Sequence, residues 1–195
     1  MPEKRKSARE KYFENYQAVK VPANNKKSYR VEYRYTGLFA RWEREGANLP
    51  LEKQKMGLME AASAAIYVVC ALSGAPLTRA RLFNGFGVLS IIPWLMELYG
   101  LIRFLFAREY VKEPDAEEIK NALRMGCVLR ILLVGLSVIA GEAQLLLQGG
   151  AAWTDLPTAL GILVSAGLSY LIKRCFDALA LIKYHNANGQ PGSPA

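Results

Sequence analysis

The stretch from Leu82 to Phe106 constrains the fold of this chain more than any other part of the sequence. It reads LFNGFGVLSIIPWLMELYGLIRFLF, and its formally charged residues are Glu97 and Arg103. As a helix it would reach about 37 Å, enough to cross the hydrocarbon core of a bilayer, which is about 30 Å thick. Since a helix that is apolar on all sides offers no polar face to water, the stretch predicts a transmembrane helix.

Other apolar stretches predict further spans, and together they indicate an all-α integral membrane protein built as a four-helix transmembrane bundle. We place the spans at about residues 57–75, 82–106, 123–147 and 157–180. The first span is the weakest, because only Ala61–Ala75 is free of charge and much of it is alanine. Pro93 predicts a kink in the second span, since proline lacks the backbone donor that a helix interior needs.

Composition divides the chain into three parts. Residues 1–49 form a small basic and aromatic N-terminal region, residues 50–184 the transmembrane domain, and residues 185–195 a polar tail that we expect to be disordered. Aromatic and charged residues alternate over Tyr29–Tyr35, and this period of two is typical of a strand. We expect a β-hairpin that pairs this stretch with Gln17–Val21.

The distribution of Lys and Arg predicts the orientation of the spans. Residues 1–56 carry 14 basic and 7 acidic side chains, whereas the two loops at the opposite ends of the spans have Arg79 and Arg81 as their basic residues. Because basic residues are enriched in cytoplasmic segments, we expect a multi-pass protein of the cell membrane with both termini in the cytoplasm.

The net charge of +8 fits either nucleic acid or anionic lipid as a partner. No basic-aromatic nucleic-acid module is recognisable, so we expect the lipid bilayer as a partner and no nucleic acid. Leu38, Phe39 and Trp42 are spaced to form the apolar face of an interfacial helical turn, although a plain linker fits the same residues. The lipid- or partner-binding candidates are Arg30, Arg34, Phe39, Arg41, Trp42 and Arg44.

Ionisable groups inside spans are costly and are functional hypotheses by default. Glu97 lies about 13 Å, and Arg130 about 9 Å, from the cytoplasmic ends of two consecutive antiparallel helices. The similar depth predicts an intramembrane ion pair. Three roles stay open: the pair holds two helices together, it lies on an ion or proton path, or Arg130 snorkels to the interface.

Gly161, Ser165 and Ser169 recur every four residues on the fourth span. A ridge of small residues allows helices to approach closely. Packing within the bundle and packing between the subunits of a homo-oligomer both fit this ridge.

The sequence carries none of the usual signatures of an enzyme. His185 is the single histidine, and no two of the three cysteines, Cys70, Cys127 and Cys175, are close in sequence. Most metal sites need several His or Cys ligands, and histidine-based catalysis needs a histidine positioned beside a nucleophile, so neither is indicated here. We therefore expect no enzymatic activity, no metal and no cofactor.

Two functions from different classes fit these observations. The first is a non-catalytic accessory or scaffold subunit that binds a membrane-protein partner or anionic lipid through its cytoplasmic N-terminal region. The second is a small oligomeric transporter or channel that uses Glu97 and Arg130. Whether Glu97 faces a water-accessible cavity or a sealed helix contact distinguishes them.

Overall fold

The computed structural model describes residues 15–22, 29–44, 46, 48–149, 155–187 and 190–194, with side chains described as far as His185. The chain divides into two compact units. The sheet unit gathers three segments, Met1–Trp42, Arg108–Glu117 and Leu181–Ala195, and the helical unit consists of Glu43–Ala107 and Glu118–Ala180. The N-terminal region is therefore one part of a unit to which the middle and the end of the chain also contribute.

The first sheet is a hairpin of two antiparallel strands, β1 (Tyr16–Pro22) and β2 (Tyr29–Tyr35). Its register runs from the pair Tyr16 and Tyr35 to the pair Pro22 and Tyr29. The predicted hairpin is confirmed, with β1 one residue longer at each end than expected. Alternation of aromatic and charged residues was a sufficient signal, because it is the pattern of a strand with two different faces.

The second sheet has the strand order β4-β3-β5-β6, with β3 at Phe39–Glu43, β4 at Val111–Lys112, β5 at Ala180–Ala187 and β6 at Gln190–Pro194. The interfacial helical turn expected around Trp42 is wrong, since this segment is β3. Both neighbours of β3 come from far along the chain, so the local spacing of apolar residues could not reveal the pairing.

Two expectations about strands need correction. The fold is mostly helical, but it is not all-α, because two small sheets are present. The C-terminal segment that composition marked as disordered contributes strand β6, which pairs antiparallel with β5. Strand pairing uses backbone groups, so a polar composition does not prevent it.

The helices are α1 (Leu49–Ala71), α2 (Pro76–Arg79), α3 (Arg81–Leu89), α4 (Ile91–Leu105), α5 (Glu113–Leu147) and α6 (Leu156–Asp177). In the part of the chain that is described, three helical stretches are long and apolar enough to cross a membrane: Arg81–Leu105, which combines α3 and α4, then α5 and α6. Large apolar side chains such as Val69, Ile92 and Ile139 are exposed on the helices, as lipid-facing residues would be.

A break at Ser90 separates α3 from α4, close to the predicted kink. Pro93 has no N–H to give to the carbonyl of Leu89, so the regular ladder is interrupted there. The Ser90 hydroxyl donates to the Gly87 carbonyl over 2.6 Å. Trp94 follows directly, in the first turn of α4.

Helix α6 packs against α1 through small residues. A methyl group on Gly161 would collide with the Cys70 sulfur, and the Ser165 hydroxyl lies 3.0 Å from that of Ser63. The ridge of small residues on α6 is thus used inside the helical unit. An apolar core lies alongside, composed of Leu77, Ala80, Phe83, Val134, Val138, Ala159, Ile162 and Ala166.

Candidate functional site

The guanidinium of Arg130 on α5 lies at the centre of a buried polar cluster. Its Nη1 is 3.2 Å from Glu97 Oε2 on α4 and 3.4 Å from Glu60 Oε1 on α1. The exposed fraction is 2% for Arg130, 0% for Glu97 and 4% for Glu60. One nitrogen of the arginine therefore donates to two carboxyl groups, which belong to two different helices.

The second terminal nitrogen of Arg130 is held by two serines. Nη2 donates to Ser63 Oγ over 2.9 Å and to Ser165 Oγ over 3.1 Å. Each serine hydroxyl in turn donates to the backbone carbonyl of the other serine, at 3.0 Å in both directions. The serine protons are thus directed to backbone carbonyls, while their oxygens accept from the arginine.

Trp94 closes the cluster on the side of α4. Its indole Nε1 donates to Glu60 Oε1 over 2.6 Å, and its ring lies 5.5 Å from the Arg130 guanidinium carbon. A guanidinium against an indole ring gains a cation–π attraction, which is larger when water is excluded. Trp94 therefore contacts both the cation of the cluster and one of its carboxyl groups.

Helical spacing explains how these side chains come together. Glu60 and Ser63 are three residues apart on α1, and so are Trp94 and Glu97 on α4, so each pair lies on one face of its helix. Arg130 and Ser165 come from α5 and α6. Four helices each contribute a polar group, so the cluster joins all of them.

The structure brings Glu97 and Arg130 together, at the similar depth that their spacing predicted. Sequence reasoning missed Glu60, Ser63 and Trp94. A signal for Glu60 was present: α1 begins at Leu49, so Glu60 lies eleven residues into the helix, about 16 Å, whereas a span begun at Gly57 puts it at the membrane edge.

A small cleft reaches the cluster from outside. It is lined by Tyr67, Ser90, Ile91, Trp94 and Arg130. The cleft lies at the break between α3 and α4. Neither Glu60 nor Glu97 lines it, so both carboxyl groups are enclosed by side chains, while Arg130 is reached from the cleft.

The candidate binding residues are divided between the two units: Arg44 belongs to the helical unit and the others to the sheet unit. Arg30 and Arg34 are exposed on β2, where Arg30 pairs with Glu32. Trp42 is only 3% exposed and Phe39 is half-buried, so neither offers a free apolar ring. Arg41 lies 2.8 Å from Glu109, and Arg44 lies 3.8 Å from Glu52 in the helical unit.

An exposed aromatic face of the hairpin was not among the predicted site residues. Tyr29, Val31 and Tyr33 alternate along β2 and are all exposed, with Tyr33 at 65%. Lys20, across the hairpin on the same face, lies 4.9 Å above the Tyr29 ring. The alternation that predicted strand β2 also places these three residues on one face, so the sequence contained the signal for this surface.

Tyr35 fixes the base of the hairpin. Its hydroxyl donates to the Leu38 carbonyl over 2.9 Å, and its ring packs edge-on against Tyr16 and Phe39. Burial, reinforced by the negative charge of Glu113, raises the pKa of Tyr35 to about 12. The phenol therefore stays neutral at any physiological pH and serves the structure as a hydrogen-bond donor.

Metal binding finds no support within the described residues, where no group of three or more His, Cys, Asp or Glu side chains is placed to hold an ion. The polar cluster instead offers a buried arginine, two carboxyl groups, two hydroxyls and an indole.

Comparison with known proteins adds no relative: no family model matches the chain, and no curated protein or solved structure is significantly similar to it.

Proposed function

We propose that this protein is a non-catalytic accessory or scaffold subunit of a membrane, and that it docks on anionic lipid headgroups through the hairpin β1–β2. The observation that carries the proposal is the exposed surface of this hairpin. One face presents Tyr29, Val31 and Tyr33 together with Lys20, and the other presents Arg30 and Arg34.

Charge favours a lipid surface as the partner of the hairpin. Residues 1–56 carry an excess of seven positive charges, since 14 basic side chains stand against 7 acidic ones. Anionic headgroups attract each well-placed Lys or Arg by about 1 kcal/mol. The attraction acts over a Debye length of about 8 Å at physiological salt, so arginines on the far face of a thin hairpin still contribute.

The aromatic face suits the chemistry of a bilayer surface. Tyrosine rings have an apolar body and a polar hydroxyl, and they are enriched at the level of the headgroups. Tyr29 and Tyr33 stand two residues apart on β2, so both rings emerge from the same side. Val31 between them supplies apolar area, and Lys20 supplies charge.

The burial of both carboxyl groups supports an anchoring role for the helices over the alternative of a transporter or channel. A transport path needs a charged group that water or substrate can reach. Glu97 is fully buried, and its carboxyl is held by Arg130. Contacts from all four contributing helices fit a domain that keeps one arrangement.

We extend the proposal to membrane topology: α1 is a fourth span, beside the three helical stretches that are long and apolar enough. The sheet unit collects the segments before α1, between α4 and α5, and after α6. Segments that share one compact unit lie on one side of a membrane. An even number of crossings must therefore separate them, which requires α1 to cross as well, and the positive-inside rule places this side in the cytoplasm.

Cysteine labelling in cells tests this topology. In a variant with Cys70, Cys127 and Cys175 replaced by alanine, single cysteines are introduced as Gln17→Cys, Ser73→Cys and His185→Cys, all at exposed positions. An impermeant reagent should label Ser73→Cys in intact cells, and the other two variants only after permeabilisation. Labelling of Ser73→Cys from the same side as Gln17→Cys would show that α1 does not cross.

Vesicle binding tests the lipid assignment. The full chain, held in nanodiscs of neutral phosphatidylcholine, is mixed with vesicles that contain phosphatidylserine or phosphatidylcholine alone. We expect binding to the anionic vesicles, weakening steeply as the Debye length falls from about 10 Å at 0.1 M salt to about 3 Å at 1 M. Equal binding to both kinds of vesicle would reject electrostatic docking.

A charge-matched pair of variants localises the effect. Arg30→Gln with Arg34→Gln should weaken binding by about 2 kcal/mol, or roughly 30-fold. Arg79→Gln with Arg81→Gln removes the same charge from exposed positions at the other end of the helices, and should leave binding near that of the wild type. A similar loss in both variants would mean that net charge, and not the hairpin, determines binding.

A further inference from the structure

The polar cluster has an uneven charge count. Fully ionised, Glu60 and Glu97 carry two negative charges against the single positive charge of Arg130. Within the described part of the chain, Arg130 is the cation paired with either carboxyl. Cys127, beside Glu97, and Tyr67, in the cleft, are the other titratable groups that face the cluster, and both are neutral in their ordinary form.

An uncompensated negative charge at this position is unfavourable. All three ionisable groups are almost completely buried, and a lone charge is strongly disfavoured in a medium of low dielectric constant. Both carboxyl groups contact the same nitrogen of Arg130, so they also lie near each other. Two carboxylates that share a site resist simultaneous ionisation.

The hydrogen bonds of the cluster leave room for one more proton. The hydroxyl protons of Ser63 and Ser165 are directed to backbone carbonyls, so neither serine donates to a carboxyl group. Trp94 and Arg130 supply the donors to Glu60, and Arg130 donates to Glu97 Oε2. Glu97 Oε1 is buried and accepts from no N–H or O–H group of the described residues, and the Cys127 thiol, a weak donor, lies beside this carboxyl group.

We propose that the cluster is a proton-binding site, in which Glu60 and Glu97 together hold one exchangeable proton. With that proton bound, one carboxylate balances Arg130 and the cluster is neutral. This inference concerns the helical unit and does not depend on the lipid-docking role of the hairpin. The protonated carboxyl group adds one hydrogen-bond donor to those that Arg130 and Trp94 already supply.

The cleft is where the cluster comes nearest to the surface of the helical unit. Arg130 and Trp94 both line the cleft, and Trp94 also donates to Glu60. Neither carboxyl group lines the cleft, so exchange of the proton requires a displacement of the Trp94 ring, which contacts Glu60.

Infrared spectroscopy of the full chain in lipid tests the site, because a protonated carboxylic acid has a carbonyl stretch distinct from that of a carboxylate. We expect such a band in the wild type at neutral pH. Glu60→Gln and Glu97→Gln should each abolish it, since either change leaves one carboxylate to balance Arg130. Both variants should keep a thermal stability close to that of the wild type.

The control is Glu118→Gln, which removes an exposed carboxyl paired with Arg103 and should leave the band intact. A second variant, Arg130→Met, should increase the band, because both carboxyl groups then need protons. Absence of the band in the wild type, or its persistence in both single Gln variants, would overturn the proposal.

Discussion

Gly126 approaches Glu97 so closely that a methyl group on Gly126 would lie 2.8 Å from the Glu97 Cα. Helices α4 and α5 therefore meet almost backbone to backbone at this point. Arg130 is one helical turn beyond Gly126, which brings its guanidinium level with the Glu97 carboxyl. Gly100 makes a second close approach, where an added Cβ would lie 2.8 Å from the Leu123 nitrogen.

Replacing Gly126 with alanine should destabilise the helical unit. The added methyl group collides with backbone atoms of Glu97 and Pro93, which cannot rotate away as a side chain does. Overpacking of this kind costs about 1–3 kcal/mol in free energy of unfolding. Thermal or denaturant unfolding in detergent measures the change.

Gly135→Ala is the matched control, on the same helix. Nothing lies within 4 Å of a Cβ built at this position. Alanine there should be neutral or slightly stabilising, because it is the better helix former. Equal stability of the two variants would show that α4 and α5 do not meet at Gly126.

Trp94→Phe should destabilise the protein by removing the donor to Glu60. The ring volume is largely kept, while a buried carboxyl oxygen loses its 2.6 Å hydrogen bond. Glu60 Oε1 keeps its longer 3.4 Å contact with Arg130, so the change removes one hydrogen bond to a buried carboxyl group, worth about 1–3 kcal/mol. Tyr67→Phe in the same cleft is the control; its hydroxyl donates to the Gly87 carbonyl over a long 3.4 Å, so a change below about 1 kcal/mol is expected.

Much of this cluster follows from regular helix geometry, which explains what the sequence could and could not reveal. Glu97 and Arg130 are isolated charges in long apolar stretches, and consecutive antiparallel helices place equal depths side by side. Glu60 was placed at the inner edge of the first span because alanine and charged residues flank it, so the start of α1 could not be taken from hydropathy. Contacts between α1 and α6 join residues about one hundred positions apart, and no local pattern encodes them.

The sheet unit shows the same limit. The hairpin β1–β2 is a local structure with its own alternation, and it was predicted with nearly correct bounds. Strand β3 lies between β4 and β5, which come from the middle and the end of the chain. Its short apolar pattern around Trp42 fits a helical turn equally well, and only pairing with distant strands decides between them.

Ser165→Ala should cost about 1–3 kcal/mol in free energy of unfolding. Ser165 accepts from Arg130 Nη2 and donates to the Ser63 carbonyl, so its loss removes two hydrogen bonds in a buried site. Ser137→Ala is the control, since that buried hydroxyl donates only within its own helix, to Val134 over 2.8 Å. A loss for Ser137→Ala as large as that for Ser165→Ala would contradict a special role of the Arg130 contact.

Tyr35 should titrate near pH 12 in the folded protein. Its side chain is 8% exposed, and burial followed by the negative charge of Glu113 raises its pKa to about 12, against about 10 for an unfolded chain. A raised pKa in the folded state means that the stabilising contribution is complete below about pH 10 and is lost as the pH rises toward 12. The near-ultraviolet absorbance of tyrosinate, recorded for the wild type minus Tyr35→Phe, isolates this one phenol among the 10 tyrosines.

The same difference spectrum measured in denaturant is the control, and its titration midpoint should return to about pH 10. A midpoint near 10 in the folded protein would mean that Tyr35 is open to water, and that the base of the hairpin is not closed around it.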